Sequence, residues 1–399
     1  MFTIYDKDKQ RVPIKVWLES RDQLEEQCLE QALNLSNLPF VYKWVALMPD
    51  THSGYGMPIG GVIGTEDVII PNAVGVDIGC GIAFVDTNIR ADSISKSQYE
   101  KIITHIMNRV PTGFDHHKNK QKCDILDRAS IDKRFKKNRE LYAEIERGYR
   151  QIGTLGGGNH FIELQEDDNG MLGIMVHSGS RNFGFKIANY YNSVAKGLNK
   201  KWGNIVPRHY DLAYLPTDRP EGKEYIMWMN LALEFAKENR SQMMYVVKDV
   251  LYKNIRGIEF GDEINAHHNY AAYENHYGKD VWVHRKGAIY AEKDVLGIIP
   301  GAMGSYSYIV RGLGNPESFK SCSHGAGREL SRRQAKREYP VDHVVKDLEK
   351  QGVILGKTRL RDVAEEYREA YKDIEFVMSQ QRDLVEPIKR LKTVAVIKG

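Results

Sequence analysis

Short clusters that place a potential metal ligand beside glycine or other small residues recur along this chain of 399 residues, and they constrain its structure most. Taken alone, a histidine is more often a hydrogen-bonded structural residue than a ligand, because burial and pairing readily satisfy an imidazole. Seven such clusters in one chain favour a metal site. The candidate residues are Asp50, His52, Asp77, Cys80, Asn159, His160, His177, His267, His268, His284 and His324.

One cluster, "GVDIGCG", places Asp77 and Cys80 three residues apart in a glycine-rich turn between two apolar runs. A tight turn can direct both side chains into one pocket, where a thiolate and a carboxylate share one cation or two neighbouring cations. Sulfur with imidazole suits zinc or another late transition metal, whereas the carboxylate also admits manganese or iron. The alternative is a small buried cysteine beside an aspartate that caps a turn.

The adjacent pair His267 and His268 is expected to supply at most one ligand, because neighbouring side chains point in different directions. His324, in "SHGAGR", lies among small residues and near Arg328. Its imidazole is therefore either a nucleophile that attacks phosphorus or a metal ligand, and the residues alone leave both possibilities open.

Two further features suit phosphate. The loop "GTLGGGNHFIE" offers backbone N–H groups that side chains do not obstruct, although a plain flexible turn is the alternative. It lacks the glycine spacing of a dinucleotide-binding fingerprint. Arg181 and a cluster next to His324, formed by Arg328, Arg332 and Arg333, could hold phosphates through bidentate guanidinium groups, whereas the outer residues of "RELSRRQAKR" are expected to form a solvated basic helix face.

The composition is that of an ordinary globular protein. Lys plus Arg number 57 against 53 Asp plus Glu, so any RNA or DNA contact must be local rather than the result of a strong overall field. The four cysteines are sparse and form no CxxC pair, which favours reduced thiols. Without a signal-peptide pattern or a run of 18 uncharged apolar residues, we expect a soluble cytoplasmic protein.

Helix-like and strand-like segments alternate, which predicts a mixed α/β fold. The charged segment 115–150 is expected to be a surface insertion that ends in a helix. A long helix is predicted over about 223–256, since this segment lacks Gly and Pro and has apolar residues at helical steps. A charged helix is predicted over 362–374, and the apolar tail "TVAVIKG" is expected to dock in a sheet as a terminal strand.

Eight strings taken together resemble the RtcB family of RNA-splicing ligases. In chain order they are "MPDTHSGYGMPIGG", "GVDIGCG", "GTLGGGNHFIE", "HSGSRNFG", "HHNY", "VHRKGA", "IPGAMGSYSYIVRG" and "SHGAGRELSR". Their order and spread match the family from about residue 45 to the last residue. The resemblance implies one compact α/β catalytic domain over residues 1–399, with a central dinuclear metal pocket and helical insertions.

The resemblance also implies the metal ligands and the chemistry. The ligands fall on Asp77, Cys80, His160, His177 and His268, with Cys80 bridging two Mn(II) ions. His324 corresponds to the nucleophile that attacks the α-phosphorus of GTP and becomes guanylylated. An RNA 2′,3′-cyclic phosphate is opened to a 3′-phosphate, the guanylyl group moves onto that phosphate, and a 5′-hydroxyl end displaces GMP, in RNA repair or tRNA splicing.

The remaining site residues carry over in the same way. Arg181 and Arg328 are expected to hold RNA or triphosphate oxygens. An activating partner protein is possible in this family, whereas neither a membrane nor DNA as the main substrate is expected. The guanylate contacts fall on Asn159, Phe161, Glu163, Asn269, Ser307, Gly325, Ala326, Gly327 and Lys398.

The chain departs from the family pattern at two positions. Ala302 replaces the serine of many relatives, which removes one hydroxyl contact to guanylate, and Tyr55 replaces a lysine of some bacterial members. The charged segment 115–150 is expected to influence which RNA is joined. Two other functions fit the same residues: a metal-dependent RNA-end phosphoesterase that does not ligate, and a catalytically silent RNA-binding protein with a structural metal.

Overall fold

Two large, mainly antiparallel sheets and a set of packed helices form the structure, a computed structural model that describes residues 1–356 and 360–399. The strands are β1 (Phe2–Ile4), β2 (Ile14–Val16), β3 (Val41–His52), β4 (Ile59–Thr65), β5 (Val68–Ile69), β6 (Gly81–Arg90), β7 (Phe161–Asp167), β8 (Met171–Ser178), β9 (Leu215–Pro216), β10 (Ile264–His267), β11 (Asn269–His276), β12 (Lys279–Lys286), β13 (Ala288–Tyr290), β14 (Leu296–Ile299), β15 (Tyr306–Gly312), β16 (Ser321–Ser323), β17 (Ile354–Gly356) and β18 (Val385–Lys398).

Helices account for much of the rest of the chain, and the predicted mixed α/β class is confirmed. The α-helices are α1 (Glu26–Ser36), α2 (Pro71–Val74), α3 (Lys96–Met107), α4 (Asp124–Ile131), α5 (Lys133–Lys136), α6 (Arg139–Gln151), α7 (Arg181–Lys201), α8 (Pro220–Asn254), α9 (Arg332–Glu338), α10 (Val341–Lys350) and α11 (Ile374–Ser379). The 3₁₀ turns are Arg21–Gln23, Ala91–Ser93, Arg208–Tyr210, Pro316–Ser318, Leu360–Glu366 and Arg368–Ala370. None of the helices in the described part of the chain has the length and apolar character needed to cross a membrane.

The larger sheet has the strand order β10-β6-β8-β7-β18-β15-β14, and β17 pairs with β18. The second sheet has the order β1-β2-β3-β4-β12-β11. Near one end of the larger sheet, Gly81 pairs with Ser178, Phe161 with His177, and Lys398 with Phe161. The starts of β6 and β7 therefore lie beside the ends of β8 and β18, and this shared end positions the site.

Helix α8 is the long helix expected near residues 223–256. It begins with Pro220 at the first helical position, where a fixed φ suits the helix and the missing N–H costs nothing. One part of its buried stripe, including Trp228 and Phe235, packs against α6 and α7. Further along, Met243 and Val247 pack against the larger sheet. The helix therefore joins two core regions behind the site.

The charged segment 115–150 contains α4, α5 and α6. Its apolar side chains, among them Leu126, Phe135 and Ile145, pack into the same core cluster as α7 and α8. Most of its charged side chains are exposed. The segment is thus attached to the core by one apolar face, and its status as an insertion stays a prediction.

The charged helix predicted over 362–374 is wrong. The chain there forms short 3₁₀ turns, Leu360–Glu366 and Arg368–Ala370. Both Glu366 and Tyr371 contact the guanidinium group of Arg328. Residues five apart in an α-helix are rotated by about 140°, so a helix could not direct both side chains at one group. These buried polar contacts therefore override helix propensity.

The terminal strand β18 is present as expected, and it generates a stability prediction. Ile397 is fully buried between the sheet and the helices, whereas Lys392 on the same strand is exposed. We expect Ile397→Ala to lower the free energy of unfolding by about 2–5 kcal/mol, because it leaves a cavity in the core. Lys392→Ala should change it by less than about 0.5 kcal/mol. Urea titration measures both, and equal effects would contradict the central packing of β18.

Candidate functional site

The turn that precedes β6 directs Asp77 and Cys80 toward the same space. The amide of Cys80 donates to the carbonyl of Asp77 at 3.1 Å, which closes the turn. Gly79 lies between them with a φ of +75°, and a Cβ there would come within 2.9 Å of Ala236 on α8. A side chain at this position is excluded by both backbone conformation and space. Glycine is therefore required for the turn to pack on α8.

Cys80 lies at the centre of the residues predicted to bind metal. Its Sγ is 3.4 Å from Nε2 of His160 and 3.4 Å from Nε2 of His177. Nε2 of His160 is 3.1 Å from Oδ2 of Asp77. Two groups have ligand atoms within 4.8 Å of one another: Cys80 with His177 and His268, and Asp77 with Cys80 and His160. The one sulfur belongs to both groups, which is the arrangement that a bridging thiolate requires.

The imidazoles of this cluster are prepared to act as ligands. Nδ1 of His160 lies 2.9 Å from the carbonyl oxygen of Leu155 and donates to it, so Nε2 is the ring nitrogen that faces Cys80 and Asp77. Burial lowers the pKa of both His177 and His268 well below the ordinary value, and nearby histidines lower it further, so both rings are neutral. Among the described residues, the buried Nδ1 of His268 has no hydrogen-bond partner.

The charges of the cluster point to a cation. Burial, and then the neighbouring Asp77 carboxylate, raise the pKa of the Cys80 thiol well above its ordinary value. Burial alone would raise the pKa of Asp77, but the hydrogen bond from His160 and its charge lower it overall. A thiolate therefore forms here only with compensating positive charge. Sulfur, imidazole and carboxylate donors around buried, unpartnered nitrogen fit a divalent transition-metal centre.

Arg240, a residue that the sequence analysis missed, lies behind this centre. Its fully buried Nη1 donates to the carbonyl oxygens of Gly79 and Ser178, both at 2.9 Å. Burial lowers the pKa of Arg240 to about 10, so the group stays charged at neutral pH. The available signal was its spacing: Arg240 follows Ala236 by four residues and continues the apolar stripe of α8.

His324 lies next to the cluster but belongs to neither ligand group. Its Nδ1 donates to Oδ2 of the buried Asp50 at 2.7 Å, and the backbone amide of His324 donates to the same oxygen at 3.1 Å. Burial would raise the pKa of Asp50, but the charge and hydrogen bond of His324 hold it below its ordinary value. Because Nδ1 donates to Asp50, the nitrogen that carries the lone pair in a neutral His324 ring is Nε2. The ring centre of His324 is 4.8 Å from that of His268.

Asp50 was considered a possible metal ligand, and the structure instead places it as the partner of His324. Three other candidates lie outside both ligand groups. Nε2 of His284 accepts from the amide of Ile70 at 3.0 Å, and His267 contacts the guanidinium of Arg240 at 3.1 Å. His52 lines the cavity described next. Of the adjacent histidines, only His268 is in a ligand group, as expected from their divergent directions.

A cavity of about 160 Å³ that opens to solvent lies beside His324. The predicted guanylate contacts that line it are Asn159, Phe161, Glu163, Gly325, Ala326, Gly327 and Lys398. Ala302 is also part of the wall. Two predicted contacts are not among the described lining residues: Asn269, which donates to the carbonyl of Asp77, and Ser307, which accepts from the amide of Gly301.

The pKa of Glu163, which lines this cavity, is raised above that of an ordinary glutamate. Burial raises its pKa to about 7, and this effect is opposed by the charge of Lys398 and by hydrogen bonds from Thr393 and Gln165. Val396 pairs with Glu163 and Lys398 with Phe161, so β18 brings the lysine beside both residues. The penultimate residue of the chain is thereby fixed at the cavity wall.

Glu366, Arg332 and Tyr371 also line the cavity; the sequence analysis named Arg332 beside His324 but missed Glu366 and Tyr371. Glu366 accepts from Nη1 of Arg328 at 3.4 Å and from Nε of Arg332 at 3.3 Å, and the hydroxyl of Tyr371 donates to it. Nη2 of Arg332 also reaches Oδ1 of Asn159 at 3.4 Å. Glu366 and Tyr371 lie in the segment predicted as a charged helix.

The two arginines predicted to bind phosphate are held by protein groups. Nε of Arg181 donates to Oγ1 of Thr154 at 3.1 Å and its Nη2 to the carbonyl of Gly113 at 2.8 Å. Nη1 of Arg328 donates to the hydroxyl of Tyr371 at 2.8 Å. Arg328 lines the cavity. Their contacts with RNA or triphosphate stay predictions, as do the roles assigned to the other site residues.

Comparison with known proteins gives a consistent result. A family model described as "tRNA-splicing ligase RtcB" matches residues 31–399. The "RNA-splicing ligase RtcB" of Escherichia coli (strain K12) is 36% identical over 412 residues, which cover 98% of each chain. The "tRNA-splicing ligase RtcB" of Nanoarchaeum equitans is 33% identical, covering 100% of this chain and 98% of the relative. The "tRNA-splicing ligase RtcB" of Thermococcus kodakarensis is 32% identical, and the match covers 99% of this chain and 96% of the relative.

Proposed function

The chain belongs to the RtcB family, and from this membership and the site geometry we propose that it is a GTP- and Mn(II)-dependent RNA ligase. It joins RNA ends that carry a 2′,3′-cyclic phosphate or 3′-phosphate to 5′-hydroxyl ends, in RNA repair or tRNA splicing. One observation carries the proposal: an imidazole oriented by a buried carboxylate lies next to two ligand groups that share a sulfur.

The metal centre is proposed to hold two Mn(II) ions. Cys80 would bridge them, with Asp77 and His160 on one side and His177 and His268 on the other. Bound there, the ions would neutralise phosphate charge and polarise phosphoryl oxygens. Arg240 and the backbone of Leu155 hold the turn and the His160 ring in position.

His324 is proposed to act as the nucleophile. Nε2 donates its lone pair to the α-phosphorus of GTP, a P–N bond forms, and pyrophosphate leaves. The Nδ1–H bond to Asp50 stabilises the positive charge that develops on the ring. An RNA 3′-phosphate oxygen then takes the guanylyl group and regenerates the imidazole. Attack of the 5′-hydroxyl on the activated phosphorus forms the phosphodiester and releases GMP.

The cavity is proposed to hold the guanine nucleotide. Glu163, when ionised, can accept hydrogen bonds from the N1–H and 2-amino groups of guanine, a pair of donors that adenine lacks. Lys398 and Arg332 bring positive charge to the same space. Gly325, Ala326 and Gly327 leave the approach to His324 free of large side chains.

The guanylylation step predicts a specific labelling result. Wild-type protein incubated with GTP labelled at the α-phosphate and with Mn(II) should carry acid-labile label on His324. His324→Ala should retain metal but lose all label and all joining of RNA ends. Asp50→Asn should slow labelling by about 10²–10⁴-fold, because the ring loses its orienting carboxylate. His209→Ala, an exposed control, should label normally. Joining without label on His324 would contradict the proposal.

The shared sulfur predicts how metal content depends on each ligand. Purified wild-type protein loaded with Mn(II) should contain two ions per chain by mass spectrometry of the metal. His160→Ala and His268→Ala should each lose one ion, whereas Cys80→Ala should lose both because one atom serves both groups. His209→Ala should keep two. Retention of two ions by Cys80→Ala would exclude the bridging role.

The pKa of Glu163 predicts a pH dependence of nucleotide affinity. Because the pKa is about 7, the carboxylate takes up a proton as the pH falls through neutrality and loses its acceptor role. The Kd for GTP should therefore rise as the pH is lowered below about 7, by up to about tenfold per unit. Glu163→Gln should weaken GTP binding by roughly 10- to 100-fold and remove this pH dependence. Glu140→Gln, an exposed control on α6, should behave as wild type.

A further inference from the structure

Phe114 is a fully exposed aromatic residue that follows Gly113, whose carbonyl accepts a hydrogen bond from Arg181. Its relative exposure is 100%, the highest among the exposed large hydrophobic residues of the described chain. It lies at the tip of a short loop, residues 112–117, which we call the Phe114 loop. A single exposed aromatic ring at a site entrance is suited to contact a flat ligand group, because it offers a face without the apolar patch of a protein interface.

The backbone of the Phe114 loop is firmly held although its tip is exposed. The amide of Gly113 donates to the carbonyl of Gly156 at 2.8 Å, and the amide of His117 to that of Arg150 at 3.0 Å. Gly113 has a φ of +63°, which favours glycine and sets the turn before Phe114. The loop thus presents the ring from a fixed frame.

The same loop borders the metal centre. The carbonyl of Gly113 accepts from Nη2 of Arg181 at 2.8 Å. A Cβ at Gly156 would come within 2.7 Å of Nδ1 of His160, so the glycine that pairs with the loop also touches a candidate ligand. Burial, and then the charge of Arg181, lower the pKa of His116. Phe114 therefore directly follows a residue whose backbone contacts Arg181 and Gly156 beside the centre.

Exposed cations continue from the loop. Segment 115–150 holds 11 Lys and Arg against 7 Asp and Glu, a difference of +4 that equals the net charge of the whole chain. The chain from His117 runs beside the end of α6, where the amide of Gln121 donates to the carbonyl of Tyr149 at 2.8 Å. The three exposed side chains Lys118, Lys120 and Arg150, which we call the cationic strip, lie along this run. Glu146 on α6 pairs with Lys120 and contacts Arg150.

We propose that the Phe114 loop and the cationic strip form a docking surface for the single-stranded RNA next to the break. A base stacks on Phe114, and the backbone phosphates lie along the strip. The inference rests on the proposed ligase function. RNA is favoured over a protein partner because the surface combines one aromatic face with a concentration of positive charge, whereas a protein-binding patch needs a contiguous apolar core.

The test measures binding of short single-stranded RNAs that carry 2-aminopurine at the terminal or an interior position. Separate RNAs end in a 3′-phosphate or a 5′-hydroxyl, which distinguishes the two ends. Phe114→Ala should raise Kd by about tenfold or more and abolish the fluorescence quenching of one terminal base. Phe114→Trp should preserve both. Tyr252→Ala removes an exposed aromatic about 18 Å along α8 from Arg240 and should have no effect.

The strip is tested through salt dependence. Lys118→Ala should weaken single-stranded RNA binding and reduce the slope of log Kd against log salt by about 0.7, as expected for the loss of one phosphate contact. Lys253→Ala, an exposed cation near the end of α8, should leave the slope unchanged. A slope unchanged in Lys118→Ala would overturn the role of the strip.

The outcome is separable from that of the ligase proposal. Labelling of His324 by GTP needs no RNA, so Phe114→Ala should label as wild type while its KM for RNA rises. If wild type labels and ligates but Phe114→Ala binds RNA with unchanged Kd, the docking surface is wrong and the ligase stands. If Phe114→Ala weakens duplex RNA as much as single strands, base stacking is wrong. Absence of label on wild type would instead contradict the ligase.

Discussion

The site depends on burying a thiol and a carboxylate side by side. Without a bound cation, a Cys80 thiolate and an Asp77 carboxylate would destabilise each other, because two negative charges repel strongly in a buried site. His160 and Arg240 reduce that cost, but neither contacts the far side of the sulfur, where His177 and His268 lie as neutral rings. This arrangement of ligands is unfavourable in the metal-free protein and becomes favourable when a cation binds. The fold therefore contributes to the affinity for the cation.

The fold brings these residues together because several neighbouring strands begin or end at the same edge of the larger sheet. Cys80 precedes β6, His177 lies near the end of β8, and Lys398 ends β18. Because these strands are neighbours in one sheet, residues more than 300 positions apart in the chain lie in a single layer. The second sheet contributes Asp50 near the end of β3, and its carboxylate reaches His324 across the junction. His324 itself follows β16, which pairs with β13 outside both large sheets, so the imidazole and the carboxylate that orients it come from different sheets.

The sequence predicted the members of the site better than their contacts. The turn at Cys80 was recognisable because glycine and ligand types coincide. Side-chain direction limited the adjacent histidines to one ligand, and the family resemblance selected His268. Asp50, Arg240 and Glu366 were missed or misassigned for one reason: each acts on a residue far away in the chain. Spacing along the sequence predicts only contacts within one helix, strand or turn. The partners of these three residues lie 274, 161 and 38 positions away.

A buried carboxylate balances the positive charges around the cavity. Arg328, Arg332 and Lys398 surround the buried carboxylate of Glu366, which burial would make costly to ionise but which these cations keep at a lowered pKa. The cations are thus already compensated, and the cavity does not attract anions indiscriminately. A phosphate binds favourably only where its hydrogen bonds to the arginines are stronger than the carboxylate contacts that they replace. This requires the correct position as well as the correct charge. Burial also raises the pKa of Glu163, the residue proposed to contact the guanine base. Under the proposed function, nucleotide recognition would depend on the position of these groups as well as on their charge. Segment 115–150, outside the cavity, has an excess of four positive charges, which equals the net charge of the chain.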